Sequence, residues 1–194
     1  MQKKIAVIND ISGFGRCSIT ATLPILSYLG VQCCPVPTAI LSNHMGFPHY
    51  FIDDYTDRMR VYIENWQKLG LRFEGIMTGF LGSAEQIDIV KGFLRDFSKE
   101  DTLVIVDPVM GDHGRIYATY TEEMCTEMKR LVALCDITTP NLTEACRLTD
   151  TPYRASGWRK RELHDMARQI SSYGPSKVVV TGIPQGEFIA NYIY

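Results

Sequence analysis

Nowhere among the 194 residues does an apolar run reach the ~18 residues that suggest a membrane-spanning helix. The opening stretch from Met1 to Asp10 places two lysines before only four apolar residues, short of the ~7–15 in a signal-peptide core. It reads instead as a strand opening a cytoplasmic protein. Neither charge sign dominates: 20 Lys and Arg against 22 Asp and Glu give a formal net charge of −2. That argues against bulk attraction to nucleic acid or an anionic membrane, and leaves room for a small phosphate site. The six cysteines form no Cys-x-x-Cys pair and no Cys/His zinc spacing, so they read as reduced, structural thiols. The four histidines make no cluster, and no Ser/His/Asp or Cys/His arrangement supports a nucleophilic triad. Neither G-x-G-x-x-G nor the P-loop G-x-x-x-x-G-K-[ST] occurs. Linkers, repeats and low-complexity segments are absent as well. With 45% hydrophobic and 22% charged residues, the chain reads as one ordinary globular domain over 1–194.

What is present is alternation. Lys4–Asn9 is a short apolar run followed by the Ser12-Gly13-Phe14-Gly15 turn, then a helix from Cys17 to Leu29 with Pro24 inside it. Val31–Val36 reads as a second strand and Asp53–Leu69 as a helix. Gly75–Thr78 is strand-like. Ser83 and Gln86 form a capping-box pattern before the apolar stripe Ile87, Val90, Leu94 and Phe97. Thr102–Val106 is a strand, Met124, Met128 and Leu131 mark a helix, and Asp136–Thr139 is another strand. Asn141–Leu148 is a short helix, and Leu163, Met166, Ala167 and Ile170 mark the next. Lys177–Thr181 and Phe188–Tyr194 close the series. Strands alternating with helices imply right-handed crossovers and a mainly parallel sheet covered on both faces.

Ligands of such sheets bind outside the carboxyl ends of the strands. Residues just past each predicted strand are Asp10 and Ser12, Thr38 with Ser42-Asn43-His44, Thr78-Gly79-Phe80-Leu81-Gly82, Asp107 to Asp112, Pro140 to Glu144, and Thr181-Gly182. A parallel sheet would bring these to one edge. Each also has a plain structural reading. Gly13 and Gly15 serve a tight turn, and Asn141-x-x-Glu144 is an ordinary capping box. Asp107 resists the plain reading, because Pro108 keeps it extended at the end of Leu103–Val106. Carboxylates at Asp107, Asp112 and Glu144 would repel unless they share a cation, and Mg²⁺ takes one or two carboxylates with waters and substrate phosphates.

Five blocks together resemble pyridoxal (pyridoxine, pyridoxamine) kinases of the ribokinase-like superfamily. They are Ile8-Asn9-Asp10-Ile11-Ser12-Gly13-Phe14-Gly15, Thr38 with Ser42-Asn43-His44, Thr78-Gly79-Phe80-Leu81-Gly82-Ser83, Asp107-Pro108-Val109-Met110-Gly111-Asp112, and Thr139-Pro140-Asn141-Leu142-Thr143-Glu144. The resemblance runs from Lys4 to about Thr181. It implies a three-layer α/β/α ribokinase-like fold with a mainly parallel sheet, incomplete at the C-terminus, since typical members are longer. The activity implied is ATP-dependent phosphorylation of the 5′-hydroxymethyl of a vitamin B6 ring. By resemblance, Asp10, Ser12, Thr38 and Phe80 face the substrate. Asp107, Asp112, Asn141, Glu144 and Thr181 serve ATP, with Asp107 and Glu144 at Mg²⁺. Many relatives have a serine where Asp10 aligns and a tyrosine in place of Phe80. The partners expected are a B6 vitamer, ATP and a second subunit in a homodimer, with no nucleic acid or membrane. The superfamily's late Gly-x-Gly-Asp loop, which supplies the base and the phosphoryl donors, occurs nowhere in this sequence, so no catalytic residue is assigned and impaired turnover is expected. Two alternatives stand beside this: a non-catalytic vitamer-binding protein and a hydroxymethylpyrimidine kinase.

Overall fold

A computed structural model describes residues 2–194. The chain forms two compact units, the first ending at Val104 and the second running Ile105–Tyr194.

The first unit contains β1 (Lys4–Phe14), α1 (Ser18–Tyr28), β2 (Gln32–Asn43), β3 (Ile52–Asp54), α2 (Thr56–Lys68), β4 (Gly75–Thr78) and α3 (Ala84–Phe97). Its strands lie in the order β4-β1-β2-β3, parallel except for β3. Ala6, Val7 and Ile8 of β1 are buried between their neighbours, as a central parallel strand requires. The α3 stripe faces the core as its spacing predicts, and Phe93 and Phe97 stack at 4.4 Å beside Phe73. Ser83 caps α3 by accepting the Gln86 N–H at 3.2 Å.

Several boundaries differ from the sequence reading, among them that of the strand read as Lys177–Thr181, which runs on to Gln185. β1 runs on through the glycine segment to Phe14, because β2 also continues, to Asn43, and pairs with it as far as Phe14↔Asn43. Gly13 is strand here: a Cβ would come within 3.0 Å of the Ser42 carbonyl, so its role is close strand approach. Asp53 and Asp54 belong to β3, paired with Ile40 and Ala39, rather than to the helix that follows. Asp54 Oδ1 instead accepts the Thr56 N–H at 2.8 Å, at the start of α2.

The second unit contains the end of β5 (Leu103–Val106), then β6 (Gly111–Asp112), β7 (Arg115–Ile116), α4 (Glu122–Val132), β8 (Ile137–Thr138), α5 (Leu142–Thr149), α6 (Lys160–Ser171), β9 (Lys177–Gln185) and β10 (Phe188–Ile193). The order is β10-β9-β8-β5, with β10 antiparallel to β9. Val178 and Val180 are buried, and α6 packs on β9. β6 and β7 form a hairpin that the sequence reading treats as loop. Its two turn residues, His113 and Gly114, both have positive φ (50° and 76°), the signature of a type I′ turn.

All six cysteines are free thiols. Among the described residues no helix is long and apolar enough to cross a membrane.

Candidate functional site

In the first unit the polar residues of the second half of β1 and those just past β4 form one network. β4 pairs with β1 only up to Ile8↔Thr78. Beyond that point Asn9 spans the divergence: its Oδ1 accepts the Phe80 N–H at 2.8 Å and the Asp10 N–H at 2.9 Å. Gly79 makes this possible, because a Cβ there would overlap the Asn9 amide. Thr38 donates its hydroxyl to the Phe80 carbonyl at 2.8 Å. Ser12 donates to Asp10 Oδ2 at 2.9 Å. Asp10, Ser12, Thr38 and Phe80, the four residues assigned to the substrate by resemblance, are all buried, Thr38 completely.

Sequence reasoning missed the hub of this network. Gln86, read as one half of a capping box, is fully buried. Its Nε2 donates to the Thr38 carbonyl (2.9 Å) and the Thr56 hydroxyl (2.8 Å), and its Oε1 accepts the Gly82 N–H at 2.7 Å. One amide thus ties β2, the start of α2 and the turn after β4. The only advance signal is its position one residue before the apolar stripe of α3.

The second unit assembles the acidic residues. Asn141 caps α5 by accepting the Glu144 N–H at 3.0 Å, and Glu144 Oε2 accepts the Asn141 N–H at 2.8 Å. The capping box is therefore real, and such a cap stabilises a helix by ~1 kcal/mol. The plain reading does not exhaust it. Glu144 is 3% exposed, its Oε1 accepts the Met110 N–H at 3.1 Å, and Asn141 Nδ2 donates to the Gly111 carbonyl at 2.8 Å. Gly111 has no room for a Cβ, which would overlap the Arg115 carbonyl across the hairpin. Thr181 joins Asn141 through a parallel bridge, its N–H donating to the Pro140 carbonyl at 2.9 Å.

Electrostatics single out a pair. Burial pushes the Asp107 carboxyl up to about 6, opposed by a hydrogen bond with the Thr139 side chain. Burial, and then the Asp107 charge, push Glu144 up to about 8 against the backbone N–H groups of Asn141, Met110 and Gly111. Both shifts have the direction expected of carboxyls that are hard to ionise together out of water. Asp112 is not part of that pair. It sits exposed on the hairpin, its Oδ1 accepting the His113 N–H at 2.7 Å and its Oδ2 3.5 Å from His113 Nε2. Tyr117 was not anticipated. Burial raises its phenol, and the charges of Glu144, Asp112 and Asp107 raise it further.

Among the described residues no group of three or more His, Cys, Asp or Glu could hold a metal ion. A half-buried and a buried carboxylate, Asp107 and Glu144, fit an ion that completes its shell with waters and phosphate oxygens. Both Glu144 oxygens already accept backbone N–H groups, which suits contact with metal-bound water better than direct ligation.

Comparison with known proteins follows the same outline. The family model for phosphomethylpyrimidine kinase matches residues 17–194. A candidate phosphomethylpyrimidine kinase from Bacteroides thetaiotaomicron, solved with pyridoxal, is 44% identical with a TM-score of 0.96, over 100% of this chain and 68% of that one. Pyridoxal kinase PdxY of Actinobacillus pleuropneumoniae is 31% identical over 83% of this chain and 56% of its own length. The Leishmania donovani pyridoxal kinase bound to ADP and pyridoxamine is 20% identical, with a TM-score of 0.88 over 99% of this chain and 69% of that one, a likeness of fold. That fold is three-layer α/β with a mostly parallel central sheet. The chain spans about half the length of the curated relatives it matches.

Proposed function

The chain belongs to the phosphomethylpyrimidine kinase family, and from that membership we propose that it serves ATP-dependent phosphorylation of the 5′-hydroxymethyl group of a vitamin B6 ring. The observation that carries the kinase part is the half-buried Asp107 and the buried Glu144 at the capped start of α5. Two carboxyls raised by burial, Glu144 also by the Asp107 charge, are stabilised by a cation carrying phosphates. The choice of ring is supported by the 44%-identical Bacteroides protein, which was solved with pyridoxal.

Ring recognition is assigned to Asp10, Ser12, Thr38 and Phe80 of the first unit. The Thr38 hydroxyl hydrogen is committed to the Phe80 carbonyl, so its part is to fix Phe80 rather than to donate to a ligand. Phosphate handling is assigned to Asn141, Glu144, Asp107 and Thr181 of the second unit, with Asp112 and Tyr117 at its margin. Mg²⁺, when bound with ATP, supplies charge neutralisation at the phosphate oxygens. Asp107 and Glu144 would hold it, Glu144 through metal-bound water. Asn141 keeps Glu144 oriented by the reciprocal cap, and Met110 N–H keeps its second oxygen fixed. The attacking hydroxyl must also lose its proton. No Gly-x-Gly-Asp occurs in these 194 residues, and that role is assigned to none of them.

A second reading, a hydroxymethylpyrimidine kinase, is favoured by the family model itself. A third, a vitamer-binding protein without catalysis, shares the ring group and dispenses with the base. One experiment separates the two ring readings. Pyridoxal, pyridoxine and hydroxymethylpyrimidine are titrated calorimetrically against a protein of these 194 residues, and ADP release is followed with each. We expect B6 vitamers to bind and turnover to be negligible, because loss of a general base alone costs ~10²–10⁴-fold. Turnover of ~1 s⁻¹ or more, an ordinary enzymatic rate, would place a base within this chain. Binding of the pyrimidine alone would overturn the B6 assignment.

A further inference from the structure

Resting on the reading of the second unit as the part that handles phosphate, we infer that Tyr153 and Thr143 are positioning residues: together they clamp the tip of the β6–β7 hairpin, and through it they set where Asp112 stands for the phosphates of a metal-bound nucleotide. The hairpin cannot hold itself in place. Its strands are two residues each, paired only at Gly111↔Ile116 and Asp112↔Arg115, and Asp112, His113 and Gly114 are exposed. A two-stranded hairpin is marginal at best on its own in water. Its position is therefore decided by what it rests on.

Base and tip are gripped separately. At the base, Glu144 accepts the Met110 N–H and Asn141 donates to the Gly111 carbonyl. At the tip, the hydroxyl of the buried Thr143 accepts the Gly114 N–H at 2.9 Å. The half-buried Tyr153 ring faces Gly114 so closely that a Cβ there would come within 2.5 Å of its Cδ1 and 2.7 Å of its Cε1. Gly114 also has a φ of 76°, so close approach and backbone conformation both call for glycine. Tyr153 reaches the tip because α5 ends at Asp150 in the left-handed conformation, and the Thr151 N–H folds back onto the Cys146 carbonyl at 2.9 Å. A cleft of about 380 Å³, with Ile116, Cys146 and Pro152 in its walls, lies among the hairpin, α5 and this returning segment. The tip thus bridges a cleft instead of resting on a filled core, and the ring contact and the Thr143 bond hold it there. Asp112 sits between the two grips, so both are needed to fix its carboxylate.

The test is calorimetric titration of the wild-type chain, Tyr153→Ala and Tyr153→Phe with the Mg²⁺ complex of AMP-PCP, a triphosphate that is not turned over, and separately with pyridoxine. Tyr153→Ala should weaken the nucleotide about tenfold, the effect of a hairpin docked about one tenth of the time, and leave pyridoxine within about twofold. Tyr153→Phe should match wild type for both ligands, because ring carbons face Gly114. Exchange of the Gly114 amide, followed by NMR without nucleotide, should be faster in Tyr153→Ala than in the other two. Unchanged nucleotide affinity in Tyr153→Ala overturns the inference. An equal loss of both ligands overturns it too, as the mark of a merely structural role, and so does a loss in Tyr153→Phe as large as in Tyr153→Ala. Should Tyr153→Ala not fold, Thr143→Val decides with the same two ligands: it leaves the ring in place, removes the acceptor of the Gly114 N–H and should show the same split. A wild type that binds no nucleotide is a different result: the phosphate-handling reading falls, and this inference with it. A wild type that binds, with no split in the variants, refutes this inference alone.

Discussion

Glu144→Gln separates the two roles that the buried carboxylate combines. The variant keeps the shape of the side chain, but one oxygen becomes an amide NH₂. Both Glu144 oxygens accept backbone N–H groups, from Met110 and Asn141, so one of these buried donors must lose its acceptor. That costs ~1–3 kcal/mol. The substitution also removes a charge that the fold holds at a disadvantage. Glu144 is raised from 4.5 to about 8, by burial first and then by Asp107. A carboxyl raised in the folded state contributes stability that is fully present below its unfolded value and is lost as pH climbs through the folded one. At about 1.4 kcal/mol per pH unit, ionising it costs the metal-free protein a few kcal/mol between pH ~4.5 and ~8. The wild type should therefore lose stability across that whole window, while Glu144→Gln loses only the part that Asp107, itself raised by burial to about 6, contributes below about pH 6. Near pH 5 the variant should melt below wild type, and by pH 9 the gap should close or reverse. A change of ~3 kcal/mol in the gap corresponds to about 6–12 °C in a chain of this size. The measurement is thermal unfolding by circular dichroism from pH 5 to 9 in chelator, repeated with Mg²⁺, which should restore wild type at high pH and leave the variant unmoved. A gap that stays constant across the range, or widens with pH, would refute the assignment of the cost to Glu144.

Other outcomes follow from packing. Asn9→Ala strips the acceptor from two backbone N–H groups and should cost ~2–4 kcal/mol, and Gly79→Ala should cost at least as much through overlap with the Asn9 amide. The double variant should lose clearly less than the sum, as urea unfolding would show; strict additivity would mean that the two residues do not meet. On β10, Ile189 and Ile193 are 80% and 70% exposed on an edge strand. Self-association measured by sedimentation should fall in Ile193→Lys, and an unchanged distribution would clear this edge.

Much of the fold was legible because its signals are local. The Asn141–Glu144 box and the stripe Ile87, Val90, Leu94, Phe97 each follow from a handful of adjacent residues and form as read, whereas at Ser83 only half of the box forms, because the Gln86 side chain accepts the Gly82 N–H instead of the Ser83 N–H. The continuation of β1 through Gly13 was not legible, because it depends on β2 running beside it some thirty residues away through Pro35 and Pro37. The β6–β7 hairpin escaped because its turn is His113-Gly114 rather than the familiar Asn-Gly. At the site, residue identities were readable and their commitments were not. Only coordinates show that the Thr38 hydroxyl is spent on Phe80, that Asp112 turns toward His113, and that Gln86 stands at the centre.

Gln86 has a consequence for how this sequence can change. Its amide nitrogen donates to the Thr38 carbonyl, the Thr56 hydroxyl and, at 3.4 Å, Asp54 Oδ2, and its oxygen accepts the Gly82 N–H, so its partners lie on four different segments. Glutamate cannot donate to Thr38, asparagine falls a methylene short, and an apolar residue strands the Gly82 N–H. No single-codon step preserves the set, so position 86 is a mutational dead end, reachable only by altering Thr56 and the Gly82 turn at the same time. In a saturation library selected for folded protein, Gln86 should stand almost alone at its position. Its neighbour Glu85, exposed and paired with Arg60, should accept most of the alphabet.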